Sequence, residues 1–211
     1  MDRFDNIITN RNVTTGLFLS DDVAEVNMLR RAILNEVETI AIKLVVFYTN
    51  ISARHDEILA LRLGQLAIDN EEFIRTNNLE QISDFKDFKT RIDVTGPLEV
   101  TTNDIPNIPF ANETPIITLR KGERILCDVI LGLGKGDNHI KWRPVSTFTF
   151  TENKLTEDGR HGGFLIRMKD VGMMSPINIL LSGYNKITEA ADRENDNIFT
   201  KQLIPYNVQI S

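Results

Sequence analysis

Cysteines and long apolar runs are almost absent from this chain of 211 residues. Its single cysteine, Cys127, excludes an intramolecular disulfide and predicts a reducing, intracellular setting. No run of about 18 apolar residues occurs, so we expect no membrane span. The first residues lack the basic-then-apolar pattern of a signal peptide, and we therefore expect no secretion.

Potential metal ligands are also scarce. One cysteine and three scattered histidines, His55, His139 and His161, do not provide the ligand set of a zinc or iron–sulfur site. For His139 we expect a hydrogen bond that stabilises its loop. The sequence therefore predicts no metal and no cofactor.

Dense basic runs are missing as well, and the formal net charge is −6. Binding to nucleic acid without sequence preference requires Lys and Arg to neutralise several phosphates. We therefore expect no direct sequence-specific contact with nucleic acid, and a neighbouring chain would make any contact that occurs.

Catalytic motifs are not convincing either. The glycine-rich segment Gly132–Gly136 could cradle a phosphate only if it joined a strand to the start of a helix. The following residues, DNHIKWRPVSTFTF, are typical of a loop and a strand, and adjacent acids such as Glu71 and Glu72 are expected to be solvated. We expect no catalytic residue in this chain.

Two amphipathic helices are predicted, one near each end. Residues 22–37 place Val26, Leu29, Ile33 and Val37 on one face, and Asp22 with Glu25 forms a capping-box variant. Ser175 and Pro176 start the second helix. Its apolar face contains Ile177, Leu180, Leu181, Tyr184, Ile187 and Ala191. Periodicity alone favours helices that cover their own sheet, but it leaves contact with a partner open.

The remaining segments are mostly β. Strands are predicted at 13–20 and 40–48, and a short helix follows His55 with Leu59, Leu63 and Leu66 on one face. Prolines interrupt short strands between 70 and 143, which indicates a mixed, mostly β insert. Further strands lie between 144 and 170, with a turn at 157–163, and the residues from 197 form an uncertain extension.

Four sequence blocks, taken together, resemble one known family. Residues 27–42 contain an N-x-L-R-R run with an E-x-x-T-x-A-I ending, and residues 56–64 read D-E-x-x-A-x-R-x-G. Residues 134–144 read G-x-G-x-x-H-x-K-W-x-P, and residues 164–181 resemble a final strand and helix. In this order they resemble the α-like assembly subunits of multisubunit RNA polymerases, which include the bacterial α N-terminal domain, archaeal D and the eukaryotic third-largest subunit.

The resemblance implies an α+β fold with a discontinuous dimerisation domain, in which a sheet carries two amphipathic helices. That domain would comprise residues 1–45 and 144–211, and residues 46–143 would form the inserted, mostly β domain. It also implies a non-catalytic scaffold subunit of DNA-directed RNA polymerase in the nucleus or cytoplasm. A smaller α-like subunit would form a heterodimer with it. The second-largest and largest catalytic subunits would assemble on that pair, beside small zinc-bearing subunits.

The same resemblance suggests which residues contact other subunits. They are Asn27, Leu29, Arg30, Arg31, Ile33 and Glu36 on the first helix, Arg62 and Gly64 on the second, Trp142 in the loop, and Leu180 and Tyr184 on the last helix. The planar guanidinium groups of Arg30 and Arg31 suit bidentate bonds across an interface, although a pair of arginines is also typical of a solvated helix face. Asn27 needs a partner for its amide in mid-helix. Trp142 either anchors an interface or packs where the loop rejoins the sheet.

Two departures from the family pattern stand out. Ala67 occupies a position where the family often has proline, and the cysteine-rich addition of many archaeal members is missing. A compact, cysteine-poor member of this family suggests a divergent polymerase, such as one encoded by a large DNA virus. If the polymerase is viral, the protein could also be located in the virion. The alternative function is a β-rich viral structural or capsid protein.

Overall fold

The structure, a computed structural model, describes residues 3–153 and 162–202. In these residues the strands are β1 Phe4–Asn10, β2 Val13–Phe18, β3 Glu38–Asn50, β4 Lys89–Thr95, β5 Leu98–Thr101, β6 Pro115–Leu119, β7 Arg124–Lys135, β8 Val145–Glu152 and β9 Phe164–Asp170. The α-helices are α1 Val23–Asn35, α2 Asp56–Gly64, α3 Asn70–Thr76 and α4 Pro176–Gln202. This mixture confirms the α+β class. Within the described part of the chain, no helix has the length and apolar character needed to span a membrane.

The two ends of the chain share one antiparallel sheet, with the strand order β1-β2-β9-β8. Strand β2 pairs with β9 so that Phe18 lies opposite Phe164 and Thr14 lies opposite Met168. Helices α1 and α4 pack against this sheet and against each other. The core between the helices and the sheet is mainly apolar, although Thr14 of β2 is also buried on this face. Its buried members are Phe18, Val26, Leu29, Ile33, Val145, Phe148, Phe164, Ile166, Met168, Ile179 and Leu180.

Helix α1 follows the sequence prediction closely. The four predicted apolar positions are all buried: Val26, Leu29 and Ile33 lie on the helix, and Val37 lies just beyond its end. Asp22 caps the helix by accepting a hydrogen bond from the backbone N–H of Ala24 at 2.7 Å. The predicted capping box is confirmed only for Asp22, because Glu25 does not bond to the Asp22 N–H directly. The Asp22 N–H donates to the Ser20 hydroxyl, and this hydroxyl in turn donates to Glu25 at 2.5 Å.

Helix α4 is rotated relative to its predicted face. Ile179 is fully buried, whereas the predicted Ile177 and Ala191 are exposed. Gly183 lies against Ile33 of α1, where a Cβ would overlap the Ile33 side chain. A glycine at this crossing therefore allows the two helices to approach closely. The helix continues through residue 202, so the predicted extension is helical as far as the structure describes it.

A second core belongs to the middle of the chain. The antiparallel sheet β3-β7-β4 and the pair β5-β6 surround it together with α2 and α3. Ile40 already lies in this core, whereas Ile33 lies in the first one. The change of core thus lies between these two residues, and β3 pairs with β7 along its whole length. The domain boundary at residue 45 stays a prediction. The turn predicted at 157–163 falls mainly outside the described residues, as do His161 and residues 203–211.

Candidate interaction surface

An open groove runs between α1 and α4. It has a volume of about 440 Å³, and both helices line it. Its lining combines apolar side chains with charged ones: Met28, Arg31, Ala32, Asn35, Glu36, Lys186, Ile187, Ala190 and Ala191. Met28 is 47% exposed and lies beside Ile187, Ala190 and Ala191, so apolar side chains of both helices are contiguous in this groove. The groove is therefore a candidate for a protein contact.

The predicted arginine pair lies next to this groove. Arg31 is exposed and lines the groove, whereas Arg30 is half-buried. Arg30 donates from Nε and Nη2 to the Asn27 side-chain oxygen, at 3.2 and 3.0 Å. These bonds supply the partner that Asn27 needs in mid-helix. The remaining N–H groups of the Arg30 guanidinium are available for a second acceptor.

Three predicted contact residues are core residues instead. Leu29 and Ile33 are fully buried, and Leu180 is 1% exposed. Their side chains fill the space between the helices and the sheet of this chain, so they do not reach another subunit directly. Tyr184 is half-buried and makes edge contacts with Phe4 and Phe18.

Glu36 remains a surface residue. It forms the C-cap of α1, is exposed, and lies 3.5 Å from the ammonium group of Lys135. Because surface ion pairs of this kind contribute little to stability, Glu36 is available for other contacts.

The predicted pair on α2 belongs to the second core. Arg62 is exposed, and its Nη2 donates to the Pro115 carbonyl at 3.3 Å, so it ties α2 to β6 of the same chain. A Cβ at Gly64 would lie 4.0 Å from the Ile42 carbonyl, which is ordinary van der Waals contact. The fold therefore gives no reason within this chain for glycine at position 64.

Trp142 packs within the chain. Its ring covers Gly134 so closely that a Cβ there would overlap it, and its indole N–H points to the Gly132 carbonyl at 3.4 Å. His139 accepts a hydrogen bond from the Lys141 N–H at 3.1 Å, which confirms its predicted role in the loop. Trp142 thus explains the glycine at position 134. A Cβ at Gly132 would overlap the Lys43 side chain, and one at Gly136 would overlap the Leu34 carbonyl, so contacts within the chain account for all three glycines without a phosphate.

The sequence prediction missed the residues that join the two cores. Asn70 and Glu71 open α3, and the Asn70 N–H donates to the Met173 carbonyl at 2.7 Å. Glu71, which was expected to be solvated, accepts hydrogen bonds from the Ser175 N–H at 2.6 Å and from Asn178 at 2.8 Å. Burial alone would raise the pKa of Glu71, but these hydrogen bonds outweigh it and lower the pKa. A carboxylate of the middle segment therefore caps the start of α4.

The described residues contain no cluster of three or more His, Cys, Asp or Glu side chains that could hold a metal ion. The lone Cys127 is buried, and burial raises the pKa of its thiol to about 12.

Comparison with known proteins identifies relatives of one kind. No protein-family model matches the chain. It is 34% identical over 131 residues to DNA-directed RNA polymerase subunit Rpo3 of Pyrococcus horikoshii, which covers 60% of this chain and 50% of the relative. It is 36% identical over 124 residues to Rpo3 of Methanocaldococcus jannaschii, and this match covers 56% of this chain and 59% of the relative. It is 32% identical over 154 residues to DNA-directed RNA polymerase II subunit rpb3 of Dictyostelium discoideum, and this match covers 61% of this chain and 51% of the relative. The chain spans about half the length of the curated relatives it matches.

Proposed function

We propose that this chain is a member of the family of α-like RNA polymerase subunits and acts as a scaffold subunit of a multisubunit DNA-directed RNA polymerase. The observation that carries the proposal is the similarity to archaeal Rpo3 and to a polymerase II rpb3. The catalytic centre would belong to the two large subunits. The relatives are polymerase subunits, so we do not retain the capsid alternative.

The groove between α1 and α4 is the surface that we assign to the smaller α-like partner. An amphipathic helix binds well in an apolar groove that has charged side chains beside it. Met28, Ile187 and Ala190 would contact its apolar face, while Arg31 and Glu36 would fix its register through charges. The discontinuous dimerisation domain proposed from the sequence agrees with this assignment, because α1 and α4 share one core.

Arg30 and Arg31 are the residues that we assign to subunit contacts. Neither forms an ion pair within the described residues, and Asn27 holds Arg30 in place through two hydrogen bonds. A held guanidinium group suits a carboxylate or carbonyl of a large catalytic subunit, because less side-chain entropy is lost on binding. Small zinc-bearing subunits would join the same assembly.

The test is native purification of the tagged chain, followed by identification of every co-purifying protein by mass spectrometry. We expect a smaller α-like chain and both large catalytic chains. Changing Arg30 and Arg31 together to Glu should remove the large chains and also weaken binding of the smaller chain, whose groove Arg31 lines, because loss of a buried interfacial charge pair costs roughly 2–5 kcal/mol. That range corresponds to about thirtyfold weaker association or more.

A matched control is available on the exposed face of β9. Changing Arg167 and Lys169 together to Glu makes the same change of charge away from both helices. This control variant should assemble normally, and circular dichroism should be native for both variants. Normal assembly of the Arg30 and Arg31 variant would show that these arginines face solvent. Recovery of the wild-type chain without polymerase subunits would refute the proposed function.

A further inference from the structure

The function proposed above assigns no partner to the outer face of the three-stranded sheet. Strand neighbours place Leu44 beside Ile130 and Val46 beside Asp128 on this face. On the other side of β7, Lys89 lies beside Ile130 and Arg91 lies beside Asp128. The opposite face carries Cys127 and Val129, which are buried in the second core.

A buried carboxylate organises the centre of this outer face. The side chain of Asp128 is only 1% exposed, and Arg91 binds it from Nε and Nη2, at 2.7 and 3.2 Å. Lys89 lies 2.6 Å from the same carboxylate, and the Tyr48 hydroxyl donates to it at 2.7 Å. These hydrogen bonds, first from Arg91 and then from Lys89 and Tyr48, hold the pKa of Asp128 well below its usual range.

The two cations share one negative charge, so the cluster carries a net positive charge on a chain that is acidic overall. The side chains of Lys89 and Arg91 are 56% and 60% exposed. Both keep N–H groups that Asp128 does not use, because an ammonium has three and a guanidinium five. Asp128 thus holds two exposed cations side by side in a fixed position.

Exposed apolar side chains lie next to these cations. Leu44 and Tyr48 on β3 are more than half exposed, and Val46, Leu126 and Ile130 are half-buried. Three strands at about 4.8 Å spacing are roughly 10 Å wide, which matches the diameter of one α-helix. A sheet with apolar residues on both faces normally has a second layer packed on it.

We propose that this outer face binds an amphipathic helix of a partner protein, with carboxylates along the flank that lies over β4. Its apolar side would cover Leu44, Val46 and Tyr48. An uncharged helix would remove Lys89 and Arg91 from water with a single carboxylate between them, which is unfavourable. Acidic side chains on the helix supply the missing negative charge. The apolar row on β3 disfavours a nucleic-acid backbone, which offers only phosphates and sugars there.

The test uses the full chain and a fluorescein-labelled 18-residue helical peptide with a leucine face and glutamates along one flank. A second peptide has lysines at the glutamate positions, and a labelled single-stranded oligonucleotide represents nucleic acid. In fluorescence anisotropy, the acidic peptide should bind at least tenfold more tightly than the basic peptide. Its affinity should fall as salt rises, because charges contribute to the contact.

Substitutions locate the binding surface. Leu44→Glu should weaken the acidic peptide at least tenfold, and Lys89→Gln should weaken it severalfold while Arg91 still neutralises Asp128. The matched control is Leu165→Glu, since Leu165 is 51% and Leu44 is 53% exposed, both on strands. The control should bind like the wild type, and circular dichroism should be native for all three.

Three outcomes would overturn the proposal. The first is equal binding of the two peptides or no binding of the acidic one, and the second is loss of binding that does not distinguish Leu44→Glu from Leu165→Glu. The third is tighter binding of the oligonucleotide than of the acidic peptide, which would assign the face to nucleic acid. Self-association of the chain that Leu44→Glu abolishes would count in the same way, because it would assign the face to a second copy of the chain. No polymerase subunit takes part in this assay, so its result is independent of the function proposed above.

Discussion

Asn70 offers a sharp test of how the two cores are joined. Its side chain is fully buried and makes three hydrogen bonds to backbone. The amide oxygen accepts from the Ile40 N–H at 2.6 Å, and the amide nitrogen donates to the carbonyls of Ile40 and Ile68, at 3.1 and 2.8 Å. Ile40 belongs to β3, an edge strand, so Asn70 takes the place of a further strand at that edge.

The substitution Asn70→Ala would leave those backbone groups buried without a partner. An unsatisfied buried donor or acceptor costs about 1–3 kcal/mol, and water has little access to a site that is fully buried. One donor and two carbonyls are affected, and each carbonyl also has a second lone pair, so we expect a total loss of about 3–5 kcal/mol. Because whole domains are stable by only about 5–15 kcal/mol, this loss is a large share of the free energy of unfolding.

Urea denaturation followed by circular dichroism measures the loss directly. Thermal denaturation provides a second measurement: for a chain of this length each kcal/mol shifts the melting temperature by about 2–4 °C, so we expect a decrease of roughly 6–20 °C. The matched control is Asn77→Ala at the other end of α3, where one amide bond to the Phe73 carbonyl is lost. It should cost about 1 kcal/mol. If Asn70→Ala is as stable as Asn77→Ala or more stable, the argument that the Asn70 amide completes the edge of β3 is refuted.

Two further predictions concern the contacts of α4. Gly183→Val should destabilise the chain by about 1–3 kcal/mol through overpacking against Ile33, and the same substitution should cost less in an Ile33→Ala background, where the space is larger. A stabilised Gly183→Val variant, measured by thermal denaturation, would contradict this close packing. Glu71→Gln should be less stable than the wild type at neutral pH. The difference should shrink as pH falls below the ordinary value of 4.5, since the native pKa of Glu71 is lower and its stabilisation disappears on protonation. A difference that does not change with pH would argue against the capping role of the carboxylate.

The sequence was most informative where structure depends on local pattern. The spacing of Val26, Leu29 and Ile33 predicted the buried face of α1, because a helix of fixed period can bury only one stripe. The face of α4 was placed less well, since Ile177 fits the same stripe nearly as well as Ile179. Only the position of α1 decides between them, and the sequence pattern contains no information about that position.

The candidate site was predicted unevenly for a related reason. Family blocks drew attention to Arg30 and Arg31, which lie at the surface, but also to Leu29 and Leu180, which fill the core. A recurring motif does not separate contact residues from packing residues. Asn70 and the cluster around Asp128 were missed because their partners lie about 30 or more residues away along the chain.

The pairing of β2 with β9 also governs the order in which the chain can fold during synthesis. The middle core is encoded by one continuous stretch and can form as soon as that stretch is available. The apolar face of α1 must wait for β9 and α4, which are made last. At about 5–20 residues per second, translation imposes a delay on the order of ten seconds. During that interval the apolar face of α1 has none of its native partners in β9 and α4 to cover it.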